Sequence, residues 1–185
     1  MNLLLHCCCG PCTIQCVEAL MGEPEPFRLN LFWYNPNIHP VTEYLNRREA
    51  FVQYAQSVQL NPIFQDVYGL RSFINGVGPD FSNRCEYCYR LRLEAAAAYG
   101  ARNGYDGFST TLLISPYQNH ELICDIAEAL SRLYQIAFVY RDFRPLFREG
   151  QQSARDKGLY LQKYCGCIFS EEDRYQKKLQ KLSGN

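Results

Sequence analysis

Short apolar runs and stretches of helical spacing alternate along this chain from one end to the other. Leu3-Leu4-Leu5 reads as a buried first strand. Ile14, Val17 and Leu20 recur at helical spacing over Thr13 to Met21, which Gly22 and the Pro24/Pro26 stretch end. Phe27 to Tyr34 alternates and then turns aromatic, predicting a second strand. Thr42 stands as an N-cap before a helix over 43–58, with Tyr44, Phe51, Tyr54, Ala55 and Val58 on its apolar stripe. Asn61-Pro62 breaks that helix, and Ile63 to Val67 predicts a third strand. Residues 68–84 have no strong period and read as a loop, or a short helix followed by a loop. A helix opens at Cys85 and runs to about Asn103, where Gly104 stops it. Asp106 to Ile114 predicts a fourth strand and 120–133 a helix. Ile136 to Tyr140 predicts a fifth strand, 150–157 a helix, and 170–182 a charged terminal helix.

Strands alternating with helices predict an α/β domain with a mostly parallel sheet. About five strands fit a Rossmann-like (HUP-like) three-layer sandwich. The 185 residues suit a single domain spanning 1–185. No apolar run approaches the ~20 residues of a membrane span. The N-terminus lacks a positive region followed by a long apolar one, so a cytoplasmic location is expected. Net charge is zero but uneven. Residues 1–70 hold 3 Lys/Arg against 6 Asp/Glu, and the rest holds 16 against 13. That bias permits a nucleic-acid partner without demanding one.

Cysteine changes the picture most. Ten thiols in a reducing compartment argue for metal or redox chemistry over structural disulfides. His6-Cys7-Cys8-Cys9-Gly10-Pro11-Cys12 packs four of them behind the first strand, where Gly10 and Pro11 predict a tight turn. The carboxyl end of a strand is where open parallel sheets bind ligands. Cys85-x-x-Cys88 at a helix start is a second pair, its thiolates favoured by unsatisfied N–H groups and the helix dipole. Cys165-Gly166-Cys167 is a third. Cys16 and Cys124 fall inside predicted helices and read as buried apolar fillers. One four-cysteine centre does not need eight thiols, so either two metal centres are present, or one centre and a redox dithiol.

Polar loops leave the same predicted sheet edge. Trp33-Tyr34-Asn35-Pro36-Asn37 follows the second strand, Thr110 and Ser115-Pro116-Tyr117-Gln118 the fourth, and Arg141-Asp142-Phe143-Arg144 the fifth. Amide edges, hydroxyls, aromatic faces and guanidinium groups together suit a base and its phosphates. Each of these residues has an ordinary core or turn role as its alternative, Trp33 in the core above all.

The chain resembles a known family, the cobalamin-independent epoxyqueuosine reductases of the QueH type. The matching pieces are Leu-His-Cys-Cys-Cys-Gly-Pro-Cys, Tyr-Asn-Pro-Asn-Ile-His-Pro with Glu43-Tyr44, and Cys-Glu-Tyr-Cys-Tyr-Arg-Leu-Arg-Leu. Ser-Thr-Thr-Leu-Leu-Ile-Ser-Pro-Tyr-Gln-Asn-His, Tyr-Arg-Asp-Phe-Arg-Pro and Gln-Lys-Tyr-Cys-Gly-Cys-Ile-Phe-Ser-Glu-Glu follow in order. The resemblance implies reduction of the epoxide of epoxyqueuosine to the cyclopentene of queuosine, at the wobble position of the tRNAs for Asp, Asn, His and Tyr. It also implies a 4Fe–4S cluster and, in some members, an adjacent mononuclear iron held by two thiolates and a carboxylate. Cys12 stands where that carboxylate would sit, and Cys7 is an extra thiol. An electron donor such as ferredoxin or flavodoxin is expected.

On that footing Cys8, Cys9, Cys85 and Cys88 are the expected cluster ligands. Cys12, Cys165 and Cys167 form the second iron site, or Cys165 and Cys167 a redox disulfide. Swapping Cys8 with Cys165 fits nearly as well. Tyr117, Tyr164, Asp142 and His39 are candidates, in that order, for the proton donor to the leaving oxygen. Trp33, Tyr34, Asn35, Asn37, Thr110, Gln118, Arg141 and Arg144 are the expected substrate contacts. Two alternatives stand beside this. One is a zinc-stabilised RNA- or protein-binding module without redox activity. The other is a relative of the ATP-dependent tRNA thiolases, disfavoured because the first strand exits into cysteines and not into a phosphate-cradling Ser-Gly-Gly loop.

Overall fold

The computed structural model describes residues 1–182. Five parallel strands form one sheet: β1 (Asn2–His6), β2 (Arg28–Trp33), β3 (Ile63–Phe64), β4 (Gly107–Thr110) and β5 (Ala137–Phe138). Their order across the sheet is β3-β2-β1-β4-β5. Seven helices connect and flank them: α1 (Gly10–Met21), α2 (Val41–Ser57), α3 (Leu70–Val77), α4 (Arg84–Arg102), α5 (His120–Tyr134), α6 (Phe147–Asp156) and α7 (Ile168–Leu182). α1 packs against α2 and α6, while α4 packs against α5 and also touches β1 and β4. Right-handed crossovers put α1 and α2 on one face and α4 and α5 on the other, which gives the expected three layers. No helix among the described residues is long and apolar enough to cross a membrane.

The strand order reverses at β1. The chain steps from β1 to β2 and β3, then returns to place β4 on the other side of β1. The crevice outside the carboxyl ends of β1 and β4 is therefore the switch point, the expected ligand position in an open α/β sheet. The middle strands are buried on both faces: Leu3, Leu4, Leu5, Leu31, Phe32 and Phe108 are all fully enclosed. That explains why they read as apolar runs and not as alternation.

Several boundaries differ from the sequence reading. Gly10 and Pro11 do not make a turn; they are the first residues of α1. Proline fits a first helical turn because its missing N–H would be unpaired there anyway. Gly10 is required by contact: a Cβ there would lie 2.6 Å from the backbone oxygen of Ala50 on α2. α2 starts at Val41 with Pro40 as its cap residue, not Thr42. β3 and β5 pair over two residues each, shorter than the apolar runs that predict them. β4 ends at Thr110, whose hydroxyl accepts from Leu112 N–H at 3.1 Å and turns Thr111–Ile114 into a 3-10 helix. α6 begins at Phe147 and α7 at Ile168, each a few residues earlier than expected, and 68–84 does contain a helix, α3.

Candidate metal centre and substrate cavity

β1 ends at His6, and the next residues carry three thiols to the switch point. Cys9 caps α1 with its own sulfur, which accepts from Cys12 N–H at 3.4 Å. The cap and the first helical turn fold Cys8, Cys9 and Cys12 back on one another, so that their three sulfurs lie within 4.8 Å of each other. Thr111, at the exit of β4, ties the set to the neighbouring strand. Its hydroxyl accepts from Cys8 N–H at 3.1 Å and lies 3.4 Å from the Cys8 sulfur. Hydrogen bonds with Cys12 and Cys9 pull the Cys8 thiol well below its ordinary pKa, and Thr111 and the Arg92 charge act the same way against its burial. Burial above all pushes Cys9 up, and the bond to Cys8 above all pushes Cys12 up. Within the trio, thiolate is thus favoured at Cys8 over Cys9 and Cys12. Cys7 points into the core, its thiol donating to Leu5 O at 3.3 Å, and burial drives its pKa up. Cys16 is likewise fully buried.

Four of the remaining five thiols gather from α4 and the α6–α7 connection; the fifth, Cys124, is half-buried on α5. Cys88, Cys85, Cys165 and Cys167 lie close enough for each charge to act on Cys88, and Cys167 and Cys85 act on Cys165. Cys88 and Cys167 are buried together against Phe73, with Tyr87 and Phe169 packed around them. Burial holds Cys88 up to about 12, and the Arg92 guanidinium opposes that shift. An ion pair of 2.5 Å from Arg84 to Asp173 fastens the start of α4 to α7. Gly166, at φ +141°, makes the sharp bend between Cys165 and Cys167, and a Cβ there would meet Arg47 at 3.2 Å.

Two buried arginines join the sulfur groups, and neither is among the expected site residues. Arg47 donates to Glu43 at 2.7 Å, to Cys165 O at 2.9 Å and to Tyr164 O at 2.8 Å, so it fixes the Cys165 loop against α2. Arg92 donates to Cys88 O at 3.1 Å and to the Cys88 sulfur at 3.0 Å. No carboxylate pairs with Arg92 among the described residues, and the Cys88 sulfur it faces becomes a counter-charge only when that thiol is deprotonated. Buried charge needs a partner; two enclosed guanidinium groups beside seven thiols fit a site that carries net negative charge when metal is bound.

A cavity of about 520 Å3 opens over these groups, lined by Cys8, Cys12 and Cys165 together with Tyr117, Gln118, Gln162, Lys163 and Tyr164. Gln162 lies with its amide nitrogen 3.4 Å from the Cys12 sulfur. The side-chain carbonyl oxygens of Gln118 and Gln162 have no hydrogen-bond partner among the described residues.

Other sequence candidates sit elsewhere. Trp33 is wholly buried, stacked on Phe51 at 5.2 Å and donating to the Tyr44 hydroxyl, so it has no free face for a base. Asn35 and Asn37 are buried, Asn35 donating to Cys7 O at 2.9 Å. Tyr34 is half-buried, and its carbonyl lies 3.2 Å from the His6 ring. The Thr110 side chain is spent on Leu112 N–H and on His6 at 2.9 Å. Arg141 is held by Glu23 beyond the end of α1, and Arg144 by Asp142 at 2.7 Å, so neither lines this cavity. Asp142 is drawn down to about 2 by Arg144 and holds no proton to give near neutrality. His39 is buried, held down to about 4 by desolvation. The Tyr164 hydroxyl donates to His39 O at 2.6 Å and is committed there. Cys12 belongs with Cys8 and Cys9 by distance, whereas the expected sets placed it with Cys165 and Cys167.

Comparison with known proteins follows this geometry closely. The family model described as "Epoxyqueuosine reductase QueH" matches residues 3–173, which include both sulfur groups. The chain belongs to that family. A QueH from Dehalococcoides mccartyi is 35% identical over 176 residues, covering 95% of this chain and 96% of the relative. One from Thermotoga maritima is 33% identical over 185 residues, covering 95% and 93%. A third, from Acinetobacter baylyi, is 36% identical over 180 residues, covering 93% and 81%. All three carry the name epoxyqueuosine reductase QueH. The QueH match runs through β1, α4 and the Cys165 loop alike, so it spans the elements that build the cavity and not the sheet alone.

Proposed function

We propose that this protein reduces epoxyqueuosine to queuosine in tRNA, with a 4Fe–4S cluster and an adjacent iron. One observation carries the reading: a single cavity at the switch point is lined by Cys8 and Cys12 from one sulfur group and by Cys165 from the other. Cys85, Cys88, Cys165 and Cys167 supply the four thiolates a cubane cluster takes. Cys8, Cys9 and Cys12 supply three donors with an open position toward the cavity, which suits one iron. When bound, these centres supply the two electrons and a Lewis acid for the epoxide oxygen.

Conversion of an epoxide to an alkene consumes two electrons and two protons and releases water. Tyr117, at the cavity mouth, is the remaining proton donor of the four candidates, because Asp142, His39 and Tyr164 are spent or displaced. Gln118 and Gln162 offer free carbonyl oxygens to the N–H edge of a purine-like base. Lys163 brings a positive charge to the same wall. Arg47 and Arg92 hold the two sulfur groups in register and balance their charge.

Anaerobic protein with dithionite and epoxyqueuosine-containing tRNA is expected to yield queuosine by nucleoside mass analysis. Mössbauer spectra should show a cubane signal and a separate single iron. Cys88→Ala should lose the cubane signal, whereas Cys12→Ala should lose only the single-iron signal. A colourless zinc protein without turnover would establish the binding-module alternative instead.

A further inference from the structure

The mouth of the cavity lies between two basic surfaces, and neither has a role in the chemistry above. On one side Tyr117, Phe147 and Gln151 are shared between the cavity and a shallow depression that also exposes Arg144, Arg148 and Arg155. On the other side Arg174 is shared between the cavity and a groove along α7 with Tyr175, Lys177, Lys178 and Lys181. Through these shared residues both basic depressions adjoin the sulfur-lined cavity and make a track that includes it.

The α7 side is patterned. Arg174, Lys177, Lys178 and Lys181 fall at i, i+3, i+4 and i+7, which places them on one helical face. No acidic residue occurs from Arg174 to Leu182. Arg174 and the three lysines are exposed and make no ion pair among the described residues. On α6, Arg148 and Arg155 are two turns apart and exposed; Arg148 has no ion pair among the described residues, and Arg155 contacts only the Gln152 amide oxygen. A solvated stripe of this kind needs no partner to be stable, but two of them meeting at one cavity mouth is not explained by solubility.

We infer that this track binds the sugar–phosphate backbone of an RNA stem-loop on both sides of the nucleotide that enters the cavity. The inference rests on the proposed reaction for the identity of the RNA. Charge complementarity supplies its physical basis, since backbone contacts come from Lys and Arg and carry most of the salt-dependent affinity. The track favours RNA over an acidic protein because two separate basic depressions adjoin the cavity, as a strand entering and leaving it needs. An acidic electron-donor protein is the competing occupant.

The test uses metal-loaded, full-length protein and a fluorescent RNA with the sequence of the tRNA-Tyr anticodon arm, read by anisotropy across a salt series. The variants are Lys177→Gln/Lys178→Gln/Lys181→Gln on α7 and Arg148→Gln/Arg155→Gln on α6. Arg102→Gln/Arg132→Gln is the control, at the exposed far ends of α4 and α5. Each lost phosphate contact should lower the slope of log K against log salt by about 0.7, so the α7 variant loses about 2. Its affinity deficit should then shrink about 16-fold between 50 and 200 mM salt. Equal binding by control and unaltered protein, with weaker and flatter salt dependence in both track variants, supports the inference. Unchanged RNA binding in the track variants overturns it, even where the protein reduces its substrate normally. It is overturned equally if those variants bind RNA normally but lose turnover only when a protein donor replaces dithionite. Absence of queuosine formation by the unaltered protein counts against the proposed reaction; the binding series judges the track.

Discussion

Replacing Arg47 by methionine tests how the Cys165 loop is held. Arg47 is 2% exposed and paired with Glu43, which is 6% exposed, at 2.7 Å. Glu43 also accepts from the Tyr160 hydroxyl. Removing the arginine leaves a buried carboxylate without its counter-charge, a loss of about 3–5 kcal/mol. The carbonyls of Tyr164 and Cys165 also lose their donors, so the upper end of that range is expected. A domain of this size holds roughly 5–15 kcal/mol in total, so Arg47→Met should be folded but close to its limit. Glu43→Leu alone strands the guanidinium and should lose a similar amount. The double variant Glu43→Leu/Arg47→Met buries no uncompensated charge. It should therefore lose far less than the sum of the two, with a coupling of about 3 kcal/mol or more. Urea unfolding of the anaerobic apoprotein, followed by far-ultraviolet circular dichroism, measures all three. Additive losses, or a single loss under about 1 kcal/mol, would match a surface ion pair and refute the reasoning.

Gly10→Ala should lower stability by about 1–3 kcal/mol in the same urea experiment, because its Cβ meets the Ala50 backbone at 2.6 Å and a backbone cannot swing aside. His39 is held down to about 4 by burial, from an ordinary value of 6.5. The unfolded chain then binds the extra proton between those values, so stability falls as pH drops from about 6.5 to 4 by up to about 1.4 kcal/mol per unit. His39→Gln should flatten that part of the stability profile, and an unchanged slope would exclude His39 as its source. Tyr117→Phe should lower kcat about 100-fold with metal content intact, as loss of a general acid does. A change confined to KM would make Tyr117 a binding residue only.

Much of this architecture is legible in residue pattern, and the failures have physical causes. Buried middle strands and periodic helices announce themselves, as Leu3-Leu4-Leu5 and the stripe from Tyr44 to Tyr54 do. Strand ends do not, because Thr110 uses its side chain to turn the backbone where composition still favours extension. The place of Trp33 at a strand exit suggests a platform, but the packing of Phe51 and Tyr44 decides its role. The destinations of Arg141 and Arg144 depend on where the two-residue β5 releases the chain. Arg47 and Arg92 do carry a signal. Arg47 falls three residues after Tyr44 and four before Phe51, and Arg92 four residues after Cys88, so each puts a charge on an otherwise buried helical face. A charge on an apolar stripe has a partner waiting, and here the partners are the sulfur loops.

The Cys8, Cys9 and Cys12 grouping has one more consequence, for the order in which the protein is made. Its geometry comes from a cap and one helical turn, so its three donors lie within five consecutive residues. The second group is complete only when Cys167 has been synthesised. The donors of the first group are therefore all synthesised long before those of the second. Thiolate trios favour copper(I) and zinc over iron, so the proposed iron has to be selected against the affinity order of its own three donors.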